Sequence, residues 1–313
     1  MNTISFPGLG IGPFTVNEIA FTIPFLKDFR GVAWYAIIIT FGMILAFSFV
    51  VLHSKKEGIT SDDVIDLAIF LLPSAIIGAR LYYVIFYGGY TSFLDAIAFW
   101  NGGLAIYGGI IAGAMAVIGV MLFKKINPLK MFDLIAPALM LGQAIGRWGN
   151  FVNAEAFGGE TDLPWRMGVL TQGMTKMIYV HPTFLYESLW NIIGFLLIYF
   201  FVFRKKKYNG QVMLSYFAWY GFGRMIIEGL RTDSLYLGTF RISQVIGFVS
   251  FVAATALLIY CGIKARKKRL EEESYALQYE VGERIISVPD EETNESDNNL
   301  TEEGEKSENG TDN

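Results

Sequence analysis

The sequence predicts an all-α integral membrane protein with about seven transmembrane helices and a small extracellular head between helices 4 and 5. Three observations carry this. Hydrophobic residues fill 53% of the 313 positions and charged residues only 17%, against roughly 45–50% and about 25% in soluble domains. Apolar runs of roughly 20 residues, the length that crosses about 30 Å of hydrocarbon at the helical rise, recur between short polar segments. Lys and Arg are also unevenly shared between alternate connections, as a multi-pass topology requires.

Residues 1–31 mix Phe, Ile and Leu with Pro7, Pro13 and Pro24 and several glycines, which suits an extracellular interfacial arm rather than a span. They lack the basic region and small-residue cleavage site of a secretory signal, so the apolar run that begins near Val32 is expected to be a retained helix. The expected spans are 32–52, 64–87, 103–123, 131–152, 183–203, 211–230 and 242–263, within a membrane domain over 32–269. The longest polar connection, 153–182, is rich in glycine, holds Trp165 and is the expected head.

From Leu270 onward the chain is acidic and poor in aromatics, with 15 of the 29 acidic residues, and is expected to be a disordered cytoplasmic tail over 270–313. Without it, 23 basic residues face 14 acidic ones. Alternate connections carry fourteen Lys and Arg residues, including Lys55, Lys124, Arg204 and Lys264, whereas the opposite set carries six, including Lys27, Arg30 and Arg166. The positive-inside rule then places the N-terminus outside and the C-terminus in the cytoplasm. The single cysteine, Cys261, excludes an intramolecular disulfide and reads as membrane filler. His53 reads as a solvated loop residue, and with two histidines and no clustered carboxylates neither a metal nor another cofactor is expected.

Charge inside a bilayer costs roughly 2.5–3.5 kcal/mol on insertion scales, which singles out Arg80, Arg147, Arg224 and Glu228. Tyr220, Arg224, Glu228 and Arg231 share one helical face, as do Gln143, Arg147 and Asn150. Gly142, Gly146 and Gly149 leave room for a neighbouring helix or a headgroup. Arg224 and Glu228, at i,i+4, can pair with each other, but that leaves arginines without enough acids to neutralise them. Such an excess implies an anionic ligand, because guanidinium grips phosphate bidentately. The run from Asn101 to Gly113 sets glycine pairs on both sides of Tyr107, where backbone can approach a ligand closely.

Residues 146–158 read G-R-W-G-N-F-V-N-A-E-A-F-G, which resembles the signature G-R-x-G-N-F-x-N-x-E-x-x-G of the prolipoprotein diacylglyceryl transferase family. Supporting pieces follow in order: Trp34 and Tyr35, Gly78-Ala-Arg80, the glycines around Tyr107, His181 through Glu187, and Tyr220 through Arg231. The resemblance covers about Arg30 to Arg269 and implies transfer of diacylglycerol from phosphatidylglycerol to the lipobox cysteine of a prolipoprotein. It implies no nucleic-acid partner. By resemblance Arg147 and Arg224 hold the phosphate, Glu228 orients Arg224, Asn150 and Gly158 shape the headgroup site, and Tyr35 and Tyr220 offer hydroxyls. Glu155, Arg231, Arg80 and His181 are further substrate-binding candidates, His181 also having a turn-stabilising reading. Many members carry a histidine where this chain has Tyr107, so a histidine base is in doubt here, and a thiolate held in the arginine field with Tyr107 as hydrogen-bond partner is the expectation.

Two other classes compete with this reading. A transporter or channel for an anionic solute would line its path with the arginines, but the sequence shows no repeated halves. A metal-dependent phosphatidyltransferase would need clustered acids, whereas Asp66, Asp95, Asp133, Glu187 and Glu228 are scattered along the chain.

Overall fold

The structure is a computed structural model that describes residues 2–22, 31–90, 92–234 and 236–286. Lys27 and Arg30, part of the expected arm, and the tail from 287 onward lie outside the described residues. Among the described residues six helices are long and apolar enough to cross a membrane. They run through α1 (Trp34–Ser54), α2 (Ser61–Tyr87), α4 (Ile106–Phe123), α5 (Pro128–Asn153), α6 (Thr183–Leu197, continued by further helical turns to Lys205) and α8 (Ile242–Ile286). A short helix α3 (Phe93–Ile97) lies between α2 and α4. Helix α7 (Gln211–Ile227) has 17 residues before a 3-10 turn over Glu228–Leu230, so its α-helical part spans about 26 Å at the helical rise. That is shorter than the expected span of 211–230.

Local chemistry sets the helix boundaries. Thr60 and Asp63 form a reciprocal capping box at the start of α2. Asn127 caps α5, with Pro128 at its first position. The N-terminus of α7 is closed by a distant group: Asp133 of α5, fully buried, accepts the backbone N–H groups of Gly210, Val212 and Met213 at 2.8, 2.9 and 3.1 Å. Lys206 bridges Asp133 and Glu57, at 3.3 and 2.6 Å.

Helix α5 is the central element: 44% of its apolar window is buried against 11–28% in the five other spans, and it packs on α1, α6 and α7. Glycine permits the close approaches. A Cβ at Gly108 of α4 would strike the Gly78 carbonyl of α2, and one at Gly221 of α7 would come within 2.6 Å of the Gly247 carbonyl of α8. Helices α6 and α7 are locked by stacked Trp190 and Trp219, each indole donating to the other's carbonyl at 3.1 and 3.0 Å. Of the three glycines flagged on α5, Gly149 faces the Tyr35 ring and Gly146 faces Ile39, while a Cβ at Gly142 would meet nothing within 4 Å. His53 is half-buried rather than a solvated loop residue, stacked on Phe49 with its centroid 4.2 Å away and hydrogen-bonded to the Tyr199 hydroxyl at 3.1 Å.

The fold is mostly helical, as the sequence predicts, and three small sheets accompany the helices. Strands β1 (Asn2–Phe6) and β2 (Ile11–Val16), within the expected arm, join two strands of the 153–182 connection, β5 (Met167–Leu170) and β6 (Ile178–Val180). The result is one antiparallel sheet of order β2-β1-β5-β6, with Ile4 opposite Val169. Short pairs β3 (Ile19–Phe21) with β4 (Val32–Ala33), and β7 (Tyr236–Leu237) with β8 (Phe240–Arg241), complete the strands described. Ile4, Met167, Val169, Val180 and Phe184 form a core beneath the four-stranded sheet. Helix α8 also continues to Ile286, beyond Leu270 where disorder was expected, with i,i+4 pairs such as Lys267 to Glu271 along it.

Candidate active site

The last turns of α5, the start of α6, the end of α7 and the segment that follows it to Asp233 bring six charged side chains into one network. Its hub is Glu187 of α6, only 4% exposed. One Glu187 oxygen, Oε2, receives Arg147 Nη2 at 2.5 Å and Arg224 Nη1 at 3.4 Å. The other, Oε1, receives Arg231 Nη1 at 3.0 Å. Arg224 also pairs through Nη2 with Glu228 at 2.6 Å, and Arg231 grips Asp233 with Nε and Nη2 at 3.0 and 2.7 Å.

Three guanidinium groups therefore face three carboxylates. The acids are not too few to neutralise the arginines, contrary to the expectation from the sequence, because Glu187 arrives from α6 and Asp233 lies two residues beyond Arg231. Arg147 and Arg224 nevertheless commit only part of their donors. Each guanidinium has five N–H groups; Arg147 uses Nη1 for Asn150 at 3.3 Å and Nη2 for Glu187, and Arg224 uses one nitrogen each for Glu187 and Glu228. Both side chains keep roughly a fifth of their surface open, so an anion can still reach them.

Beyond the spans, burial presses the Asp233 carboxyl upward, but the Arg231 guanidinium outweighs it and holds that carboxyl below its ordinary value. Burial likewise opposes the charge on Arg231, and the Asp233 and Glu187 carboxylates more than offset it.

The chain leaves α5 through a tight turn in which Ala154 and Ala156 adopt left-handed φ values of 49° and 57°. Each such position costs on the order of 1–3 kcal/mol. The turn folds Glu155 back to accept from Asn150 and Asn153 at 3.0 and 3.2 Å. Gly158 follows, its N–H donating to the His181 carbonyl at 3.0 Å, in a β-bridge with Arg231. A Cβ at Gly158 would lie 2.7 Å from His181 Cβ and 2.9 Å from the Leu230 carbonyl, so only glycine passes between those two segments.

The predicted residues Arg147, Asn150, Glu155, Arg224, Glu228 and Arg231 are thus joined by direct hydrogen bonds or shared carboxylates, with Gly158 alongside. Tyr35 adjoins them, its ring lying against Gly149 of α5. Tyr220 shares the helical face of Arg224 and stacks on Tyr216 at 5.6 Å, and the Tyr216 hydroxyl accepts from Gln143 at 2.8 Å. Arg80 is not part of the network, since its guanidinium donates to backbone carbonyls of residues 95–103. Tyr107 sits half-buried in the first turn of α4, and among the described residues no hydrogen bond links it to the arginines. His181 meets the Tyr186 hydroxyl at 3.3 Å, which accepts from Trp165 at 2.7 Å.

Sequence reasoning missed Glu187 as the hub, together with Asp233 and with Arg241, whose guanidinium donates to the Glu228 carbonyl and, at 2.9 Å, to the Tyr236 hydroxyl. A signal for Glu187 existed. It is a carboxylate at the mouth of an apolar span, the same oddity that drew attention to Glu228.

Six apolar helices long enough to cross a membrane, with three arginines and three acids paired through the buried Glu187, define a multi-pass membrane protein with a charged network among its helix ends. The chain belongs to the prolipoprotein diacylglyceryl transferase family, whose model matches residues 19–260. It is 42% identical over 271 residues to the phosphatidylglycerol–prolipoprotein diacylglyceryl transferase of Limosilactobacillus reuteri, covering 83% of this chain and 90% of that protein. Proteins of the same name from Finegoldia magna and Clostridioides difficile are 45% and 43% identical, over 78% and 82% of this chain and 95% and 100% of their own lengths.

Proposed function

We propose that this enzyme transfers the diacylglyceryl group of phosphatidylglycerol to the thiol of a lipobox cysteine in a prolipoprotein, with the residues of the Glu187 network holding the phosphate. The observation that carries the assignment of the site is the convergence of Arg147 and Arg224, from different helices, on a single carboxylate oxygen. The spacing of two guanidinium groups around one anionic oxygen is what a phosphate needs.

The cysteine sulfur, as thiolate, attacks the glyceryl carbon that bears the phosphate oxygen. The new C–S bond is a thioether. The broken C–O bond leaves its electron pair on the phosphate of the departing glycerol phosphate, and the thiol proton passes to solvent or to the leaving group. Charge accumulates on that phosphate, and Arg147 and Arg224 stabilise it without changing protonation state, which is catalysis by fixed electrostatics. Glu187 and Glu228 hold the two guanidinium groups apart and oriented. Asn150, backed by Glu155, fixes Arg147, and Arg231 is fixed by Asp233 and by the bridge at Gly158. Tyr35 and Tyr220 offer hydroxyls to glycerol oxygens, and His181 borders the headgroup site. Tyr107 hydrogen-bonds the incoming sulfur, whose ordinary pKa near 8.5 demands a stabilised thiolate.

In this reading seven spans, with α7 as the short one, cross a bacterial inner membrane, the N-terminus and the sheet-bearing head lie outside, and the basic connections face the cytoplasm. The excess of Lys and Arg on alternate connections supports that orientation. The test is direct. Purified protein in phosphatidylglycerol vesicles should add one diacylglyceryl mass to a lipobox peptide and nothing to its Cys→Ser counterpart. Absence of the adduct, or an adduct on the serine peptide, would refute the assignment.

A further inference from the structure

Arg80 is the one intramembrane arginine singled out from the sequence that the Glu187 network leaves aside. It is 8% exposed. Its Nε donates to the Ala96 carbonyl at 2.7 Å, Nη2 to that of Asp95 at 2.8 Å, and Nη1 to those of Gly102 and Gly103 at 2.7 and 3.1 Å. The Tyr83 and Tyr90 rings cover the guanidinium, with centroids 5.9 and 5.0 Å from its central carbon. All three nitrogens are engaged by backbone, which is a poor arrangement for a phosphate ligand.

The segment it grips has little else to hold it. Ala98 is buried at 4% exposed, but the large Phe93, Leu94 and Trp100 side chains are 78%, 73% and 69% exposed, so side-chain burial does little to fix this stretch. Gly102 and Gly103 take left-handed φ values of 88° and 71°, and a Cβ at Gly103 would lie 2.7 Å from Arg80 Nη1. Glycine is what lets both carbonyls turn onto one nitrogen. The Ala105 N–H then donates to the Ala79 carbonyl at 3.0 Å, and α4 starts at Ile106, with Tyr107 in its first turn.

We propose that Arg80 is a positioning residue, which clamps the Asp95, Ala96, Gly102 and Gly103 carbonyls to fix the start of α4 and hence the place of Tyr107 beside the incoming thiol. The clamp rests on the transferase reading above for its purpose, though not for its geometry. A lysine keeps the charge but cannot span four carbonyls with a planar fork. Misplacing a reacting group by about 1 Å can cost on the order of 100-fold in rate.

The experiment compares Arg80→Lys, Tyr107→Phe and the double variant in peptide lipidation, and measures hydrogen exchange in the parent and Arg80→Lys. The expected result is a fall in kcat of roughly 10-fold or more for Arg80→Lys with KM for phosphatidylglycerol unchanged, and little further loss on adding it to Tyr107→Phe. Amides of residues 102–107 should exchange faster in Arg80→Lys while those of α5 and α7 do not. A raised KM with kcat preserved would make Arg80 a lipid ligand and overturn the proposal. So would independent, multiplying losses in the double variant, full activity of Tyr107→Phe, or an unchanged exchange pattern. A wild-type protein that lipidates nothing would remove the transferase reading instead, and the exchange arm would then judge the clamp by itself.

Discussion

Glu187 has two oxygens, and three arginines draw on them. Breaking a buried ion pair by removing one partner costs about 3–5 kcal/mol, and the part-exposed Arg147 and Arg224 place this case toward the lower end. Glu187→Gln keeps the shape but lowers the charge, so it should lower the unfolding temperature in detergent clearly more than Glu155→Gln and reduce lipidation at least 10-fold; equal effects of the two would remove Glu187 from the centre. Asp233 gives a pH signature. Its carboxyl is held below the ordinary value of 3.8, so the stability it adds is complete above that pH and is lost as pH falls through the lowered folded value. Unfolding of Asp233→Asn and parent should therefore differ at neutral pH and converge in acid. A gap that widens on acidification would contradict the pairing. The arginines and Glu228 were legible in the sequence because charge in an apolar run is conspicuous. Glu187 was visible but unranked, since nothing in a linear reading says that three arginines from two other elements meet one acid.

Helix α7 shows how a short span is secured. Its first N–H groups lie at a buried helix end with no partner in the helix itself, and Asp133 supplies an acceptor from α5. Asp133→Ala removes the acceptor for three N–H groups and the partner of Lys206, so destabilisation of about 3–5 kcal/mol is expected. Asp133→Asn should cost less. Thermal unfolding monitored by tryptophan fluorescence, with Trp219 on α7, checks both; parity of Asp133→Ala with the parent would show that the cap is dispensable. From the sequence Asp133 was one scattered acid among several, because a cap supplied 77 residues before Gly210 leaves no local pattern. The helix boundaries, by contrast, follow hydropathy and local caps such as Thr60 and Asn127 and match the expected spans to within a few residues, except at the C-terminal end of α8, where charged i,i+4 pairs carry the helix past its apolar run to Ile286.

The membrane helices and the sheet differ in how they are encoded. Each helix satisfies its own backbone and announces itself through a run of apolar residues. The sheet forms only when Thr3 meets Leu170, so its short strands, one ended by Pro7 and the next holding Pro13, gave no alternating pattern long enough to predict. Removing residues 2–16 would strip β1 and β2 from β5 and expose its edge. The truncated chain should still insert, yet aggregate more readily and lose thermal stability, as size-exclusion chromatography in detergent would report. Folding thus unites the helices that hold Arg147, Glu187 and Arg224 into one network, the proposed phosphate site. The most direct measurement of that claim is lipidation of a lipobox peptide by Arg147→Gln and Arg224→Gln beside the parent, with membrane insertion verified. Each variant should lose on the order of 100-fold or more in kcat, as removal of a transition-state donor does, whereas turnover unchanged in both would contradict the account.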